Sequence, residues 1–183
     1  MKKLFLIIFL FFFNTEVYSS IVKDEIIKNL TEINNISFKF EQNINGKIEN
    51  GKCILEYPKK ISCTYDLKNK KILITNGKTL VIKTSNSYYL YPIEKTPLNF
   101  ILDKNYLINQ IRRIKEREID DKFINFIFYE NDNEINLFFD KKTYNLIGWQ
   151  TLDIYQNLSI TYIYSITKNQ KIKNNLFKLP EQN

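Results

Sequence analysis

The chain contains no histidine. That absence removes Ser-His-Asp and Cys-His catalysis, the commonest general acid–base group, and the usual zinc ligand sets. Glycine occurs only four times, and no Gly-rich phosphate loop is present. Proline also occurs four times, so no Pro/Gly-rich linker divides the chain, and no internal repeat is visible. Cysteine is confined to Cys53 and Cys63, and arginine to Arg112, Arg113 and Arg117. Carboxylates remain as acid–base groups: Asp120–Asp121, Asp132 with Glu134, and Asp153. Most of these fall at turn signals, where aspartate hydrogen-bonds its own backbone. We therefore expect neither an enzyme nor a cofactor or metal site.

Long apolar runs are also scarce, with one exception at the N-terminus. Lys2 and Lys3 precede an unbroken apolar run from Leu4 to Phe13, and Val17 and Ser19 follow at cleavage-site spacing. This is the three-part layout of a secretory signal peptide, expected over residues 1–19. Ten apolar residues are too few for a membrane span, which takes about 20. No cysteine follows this region to accept a lipid anchor. Residues 20–183 are expected to form one exported, soluble domain, long enough to bury roughly 70% of its unfolded surface. The net charge is +7, but the lysines are scattered among asparagine and isoleucine. A nucleic-acid footprint is clustered, so nucleic acid is not an expected partner.

The pattern along the chain changes once early on. Val22, Ile26, Ile27, Leu30 and Ile33 recur at helical spacing, with Asp24 and Glu25 placed for a helix N-terminus. From Ile36 the period becomes two: Ile36, Phe38 and Phe40 alternate with polar residues. Further strands are expected at 52–57, 61–66, 71–75, 79–83, 88–91, 111–119, 122–129, 134–139, 146–155 and 158–167. Polar turns such as Asn45-Gly46, Asn50-Gly51 and Asn76-Gly77 separate them. The interruption is 96–111, where Thr96 reads as an N-cap, Pro97 as the first helical residue, and Leu98, Ile101, Leu102 and Ile108 as an apolar face. The expected fold is mainly β, an incomplete antiparallel barrel of about 11 strands under an N-terminal helix and a helical insert.

The two cysteines lie ten positions apart in CILEYPKKISC. If Tyr57-Pro58-Lys59 is a hairpin tip, paired residues sum to 116, and Cys53 faces Cys63. In an oxidising compartment that register favours a disulfide. The arginines of IRRIKERE have two readings: a charged edge strand, or a docking patch for an acidic partner or anionic lipid head groups. The aromatics and isoleucines of the strands also have two readings. They fill a solid core, or they wall a hollow that takes an acyl chain.

Several motifs, in order, resemble the outer-membrane lipoprotein carrier (LolA) family. They are FKFEQ at 38–42, GKCILEYPKKISCTY at 51–65, ILITNGKTLVI at 72–82, KTPLNFIL at 95–102 and LFKLPEQ at 176–182. The resemblance implies a half-open barrel with a helical lid that carries acylated lipoproteins across the periplasm. It would take them from an inner-membrane ATP-driven release complex to an outer-membrane acceptor, as a monomer without a cofactor. Together with more aromatic strand positions than two short helices can cover, it leads us to expect Phe38, Phe40, Ile61, Leu98 and Ile101 around an acyl-chain cavity, with Trp149 nearby. Tyr57, Pro58 and Pro97 fall where hairpin and lid meet, and Tyr57 stands where the family often carries an arginine. A periplasmic sensor domain on the same half-barrel, binding a lipid or a protein partner, is the alternative reading.

Overall fold

Period-two alternation carries most of the chain into strands, and hairpin turns stack them in sequence order. The computed structural model describes residues 14–130, 133–153 and 155–182, with the side chains of 14–20 left aside. The basic and apolar parts of the expected leader, within 1–13, and Asp132 lie outside the described residues. Among the described residues, no helix is long and apolar enough to cross a membrane.

The strands are β1 (Asn35–Ile44), β2 (Lys47–Glu56), β3 (Lys60–Tyr65), β4 (Ile72–Asn76), β5 (Thr79–Lys83) and β6 (Tyr88–Pro92). They continue as β7 (Arg117–Ile119), β8 (Phe123–Glu130), β9 (Asn133–Asp140), β10 (Leu146–Leu152) and β11 (Leu158–Lys168). All join one 11-stranded sheet in the order β6-β5-β4-β3-β2-β1-β11-β10-β9-β8-β7. Every neighbour is consecutive in the chain except β1 and β11, which pair antiparallel from Ile36↔Lys168 to Ile44↔Ser159. The two ends, β6 and β7, do not pair, so the barrel stays open. Both edges are blunted. β7 is three residues long and charged, and β6 ends in Pro92. The C-terminal segment also returns to β6, where the Tyr88 hydroxyl donates to the Pro180 carbonyl at 3.0 Å.

Helix α1 (Asn14–Glu32) starts upstream of the expected helix, so Asp24 and Glu25 sit mid-helix. Of its expected apolar face, Val22, Ile26, Leu30 and the adjoining Ile33 are buried, and Ile27 is half-buried against the core. The helical insert is two helices, α2 (Leu98–Ile101) and α3 (Lys104–Arg113). Pro97 has helical dihedrals, but Thr96 does not cap; its hydroxyl donates back to the Ile93 carbonyl at 2.9 Å. Asp103 breaks the run and caps α3, accepting the Tyr106 amide at 3.1 Å.

The strand expected over 111–119 is corrected. Its first three residues complete α3, because Leu107, Ile108 and Ile111 form one buried helical face. Arg112 and Arg113 fall in the last helical turn, where the dipole favours cations, and only Arg117 lies on a strand. The charged edge strand read from the arginines is therefore confined to Arg117, with Arg112 and Arg113 on the helix.

The faces of α1 and α3 pack into one core with Ile124, Phe126, Ile135, Leu137 and Phe139 of β8 and β9. That half of the molecule is filled. The other half is not.

Candidate functional site

The concave face of β1–β6, together with β10, β11 and the start of α2, surrounds a cavity of about 320 Å³. The pleat explains its wall. Phe38, Cys53, Cys63, Leu73, Ile82 and Tyr89 stand opposite one another across β1 to β6, and all six line the space. A one-residue slip in any hairpin would turn that strand's lining outward.

The cysteines form a disulfide within this wall, S–S 2.00 Å, at a close pair with Cα atoms 4.1 Å apart. The expected sum of 116 holds for every β2–β3 pair. The turn contains a cis Tyr57–Pro58 bond. One row along, Phe40 lies across Gly51. A Cβ there would sit 2.8 Å from the Phe40 ring and 2.2 Å from the Thr64 carbonyl oxygen. Glycine leaves the room in which the Phe40 ring meets Tyr65 edge-on at 5.0 Å.

Of the residues read from the sequence, Phe38, Phe40, Ile61, Pro97, Leu98 and Trp149 line the cavity. Phe38 and Trp149 meet edge-on, with centroids 6.4 Å apart. Ile101 is buried at 1% exposure but is not among the lining residues. Tyr57 and Pro58 lie at the hairpin tip, off the wall. Burial, and after it the Asp103 carboxylate, push the Tyr57 phenol above its usual range.

The lid is held by residues the sequence did not single out. The Lys59 amide donates to the Leu102 carbonyl at 2.8 Å, and the Lys59 ammonium lies 3.6 Å from Asp103. Lys104 donates to the Ile33 and Thr31 carbonyls, at 2.7 and 3.1 Å, at the end of α1. Its ammonium also lies 5.8 Å from the Tyr57 ring centroid. Hairpin tip, lid and N-terminal helix thus meet at one joint. An aspartate before an apolar helical run is an N-cap signal, so Asp103 was findable; Lys59 carries no such signal.

Away from the lid the wall is mixed. Along β1 the lining runs Phe38, Phe40, Gln42, Ile44; along β10 and β11 it includes Trp149, Thr151, Leu152, Ser159 and Thr161. Gln42 donates to Ser159 at 3.1 Å and to Thr161 at 3.2 Å, and accepts the Tyr65 hydroxyl at 3.3 Å. Lys71 pairs with the buried Glu49 and sits 4.1 Å from the Tyr65 ring centroid. Lys47 also pairs with Glu49, at 2.8 Å. Burial pushes the Glu49 carboxyl up, but bonds to Lys47 and Lys71 and their charges outweigh it, so the group ends below the ordinary range. Asp153 accepts two backbone amides, from Tyr155 at 2.8 Å and Asn157 at 2.9 Å. It closes a turn and also lines the hollow. The hydroxyls of Tyr91 and Tyr155 meet at 3.3 Å, joining β6 to the β10–β11 turn.

The family model for the outer membrane lipoprotein carrier protein LolA matches residues 31–180. No curated protein sequence matches the chain. Among solved structures, a LolA superfamily protein from Nitrosomonas europaea is similar at TM-score 0.48 and 4% identity, over 88% of this chain and 97% of that one. An uncharacterized conserved protein from Thermus thermophilus is similar at TM-score 0.52 and 7% identity, over 90% and 95%. MucB is similar at TM-score 0.51 and 10% identity, over 90% of this chain and 63% of MucB. Identities this low speak for a shared fold alone.

Proposed function

The chain belongs to the LolA family of outer membrane lipoprotein carriers, and from that premise we propose that it shields the acyl chains of lipoproteins on their way between the inner and outer membranes. Members of the family are binding and carrier proteins of the periplasm. The observation that carries the reading is the apolar hollow under a helical lid in an unclosed sheet.

Its size suits the task. A methylene displaces on the order of 30 Å³, similar to a water molecule. A hollow of about 320 Å³ then holds about ten methylenes, one chain's worth. At about 0.8 kcal/mol each, their transfer supplies roughly 8 kcal/mol before the costs of ordering. That corresponds to micromolar binding or weaker, which allows release. Further chains would enter only with the lid raised. The donor would be an inner-membrane ATP-driven release complex, and the recipient an outer-membrane acceptor.

The test is to isolate the exported protein and identify its bound species by mass spectrometry. A titration with an acylated peptide accompanies it, read by the single tryptophan, Trp149, whose ring lines the hollow. Co-purifying acylated proteins and saturable peptide binding are expected. A protein with neither is not a carrier. Recovery of an unacylated partner alone would favour a sensor domain.

A further inference from the structure

The hollow ends where the packed core begins, and three elements mark the same border. On β1, Phe38 lines the space, while Ile36 on the same strand face is buried and does not. On α2, Leu98 lines it and the buried Ile101 does not. On β10, Trp149 lines it, while Leu137, its partner on β9, is wholly buried in the core. Phe38 and Trp149 stand on strands separated by β11, yet their rings meet edge-on, 6.4 Å apart. The pair therefore bridges the half-barrel, with the core behind it and the hollow in front. The far limit is different. Tyr89, on the edge strand β6, and Tyr155, beyond β10, line the space and are 46% and 63% exposed, so the hollow meets solvent there.

We propose that the Phe38–Trp149 pair is the stop that sets acyl-chain length. The methyl end of a chain rests against the two rings, and the chain runs out to the mouth at Tyr89 and Tyr155. The proposal rests on the carrier reading of the same hollow and adds which chains it houses. Saturated chains of about ten carbons fit entirely under the closed lid, and further methylenes stay outside.

Two physical points make the pair a stop. The core behind it is close-packed, so the rings cannot recede without displacing buried side chains. The rings also face a space that already exists, so shortening one of them lengthens the hollow and seals no separate void. Inside the hollow each methylene leaves water and raises affinity about fourfold; outside it stays hydrated and adds nothing. A plot of affinity against chain length then breaks where the chain meets the rings.

The experiment titrates one short peptide carrying saturated N-acyl chains of about 6 to about 16 carbons, by calorimetry below their micelle-forming concentrations. Trp149→Leu and Phe38→Leu test the stop, and Tyr155→Leu tests the mouth, with thermal melting as the check on folding. The parent's affinity should rise about fourfold per carbon and level off near about ten. Trp149→Leu should move the break outward by about four carbons, and Phe38→Leu, which removes less, by about two. Tyr155→Leu should leave it in place. A parent whose affinity keeps rising without a break overturns the stop and leaves the carrier reading standing. A break that stays put in the folded ring variants, or moves as far in Tyr155→Leu, also overturns it. Failure of the parent to bind a peptide of any length overturns stop and carrier together.

Discussion

Removing the Cys53–Cys63 bridge by Cys53→Ala with Cys63→Ala isolates the term that one covalent link contributes to the half-barrel. The bridge closes a loop between residues ten apart in sequence. The chain-entropy argument then gives about 3 kcal/mol of lost stability, from the greater freedom of the unfolded hairpin. A second term, the void left by two sulfur atoms, stays small here. Both residues line a hollow that already exists, so their truncation widens an open space and seals no new one. At about 2–4 °C per kcal/mol for a domain of this size, the melting temperature should fall by about 6–12 °C. The assay is thermal unfolding by circular dichroism, with and without reductant, and thiol alkylation on the denatured protein. Reductant should lower the parent's melting temperature toward the variant's and leave the variant unmoved. The oxidised parent should yield no alkylated cysteine. A variant melting within about 2 °C of the parent would refute the loop-entropy reasoning. Two alkylated thiols per oxidised chain would refute the bridge itself.

Asp103→Ala removes the cap of α3 and the Lys59 contact together, and should cost about 1–2 kcal/mol. Hydrogen exchange should rise across Leu98–Arg113 more than in β8 or β9; uniform protection would show that the joint does not hold the lid. Glu49 has a lowered pKa in the folded state, so its stabilisation is present above the ordinary glutamate value and lost as pH falls through the lowered one. Glu49→Gln should therefore flatten part of the acid limb of stability against pH, and curves of identical slope from pH about 5 to about 2 would contradict the lysine pairing. Export should remove the leader near Ser19 or Ser20, and an intact mass that retains residues 1–19 would exclude cleavage there.

Local physics made much of the fold legible in advance. Alternation of apolar and polar residues announces strands because successive side chains take opposite faces, and it located β1 and most of the others well. The exception is β2, since Asn50-Gly51, which reads as a turn, lies inside it and pairs with Glu41 and Phe40. The cysteine pairing was legible because a tight hairpin fixes its own register around Tyr57-Pro58-Lys59, and that register needs nothing distant. The buried stripe of α1 was legible from spacing alone. The segment 111–119 was not, since its charges and isoleucines fit either period over a short run. Only the packing of Ile111 against the helical core decided for helix over its first three residues, while Arg117–Ile119 kept the strand period. The β1–β11 pairing was equally hidden, because it joins residues more than a hundred positions apart and no local pattern names a distant partner. Whether the aromatics filled a core or walled a hollow was also a tertiary decision. The helices α1 and α3 fill the half beneath β8 and β9, while the start of α2 roofs the other half, so one sequence pattern yields both outcomes. Trp149 faces the hollow and Tyr162 faces solvent, though both lie on alternating strands. The polar joint of Gln42, Ser159 and Thr161 was likewise hidden, because it forms across the β1–β11 pair and no local pattern names it.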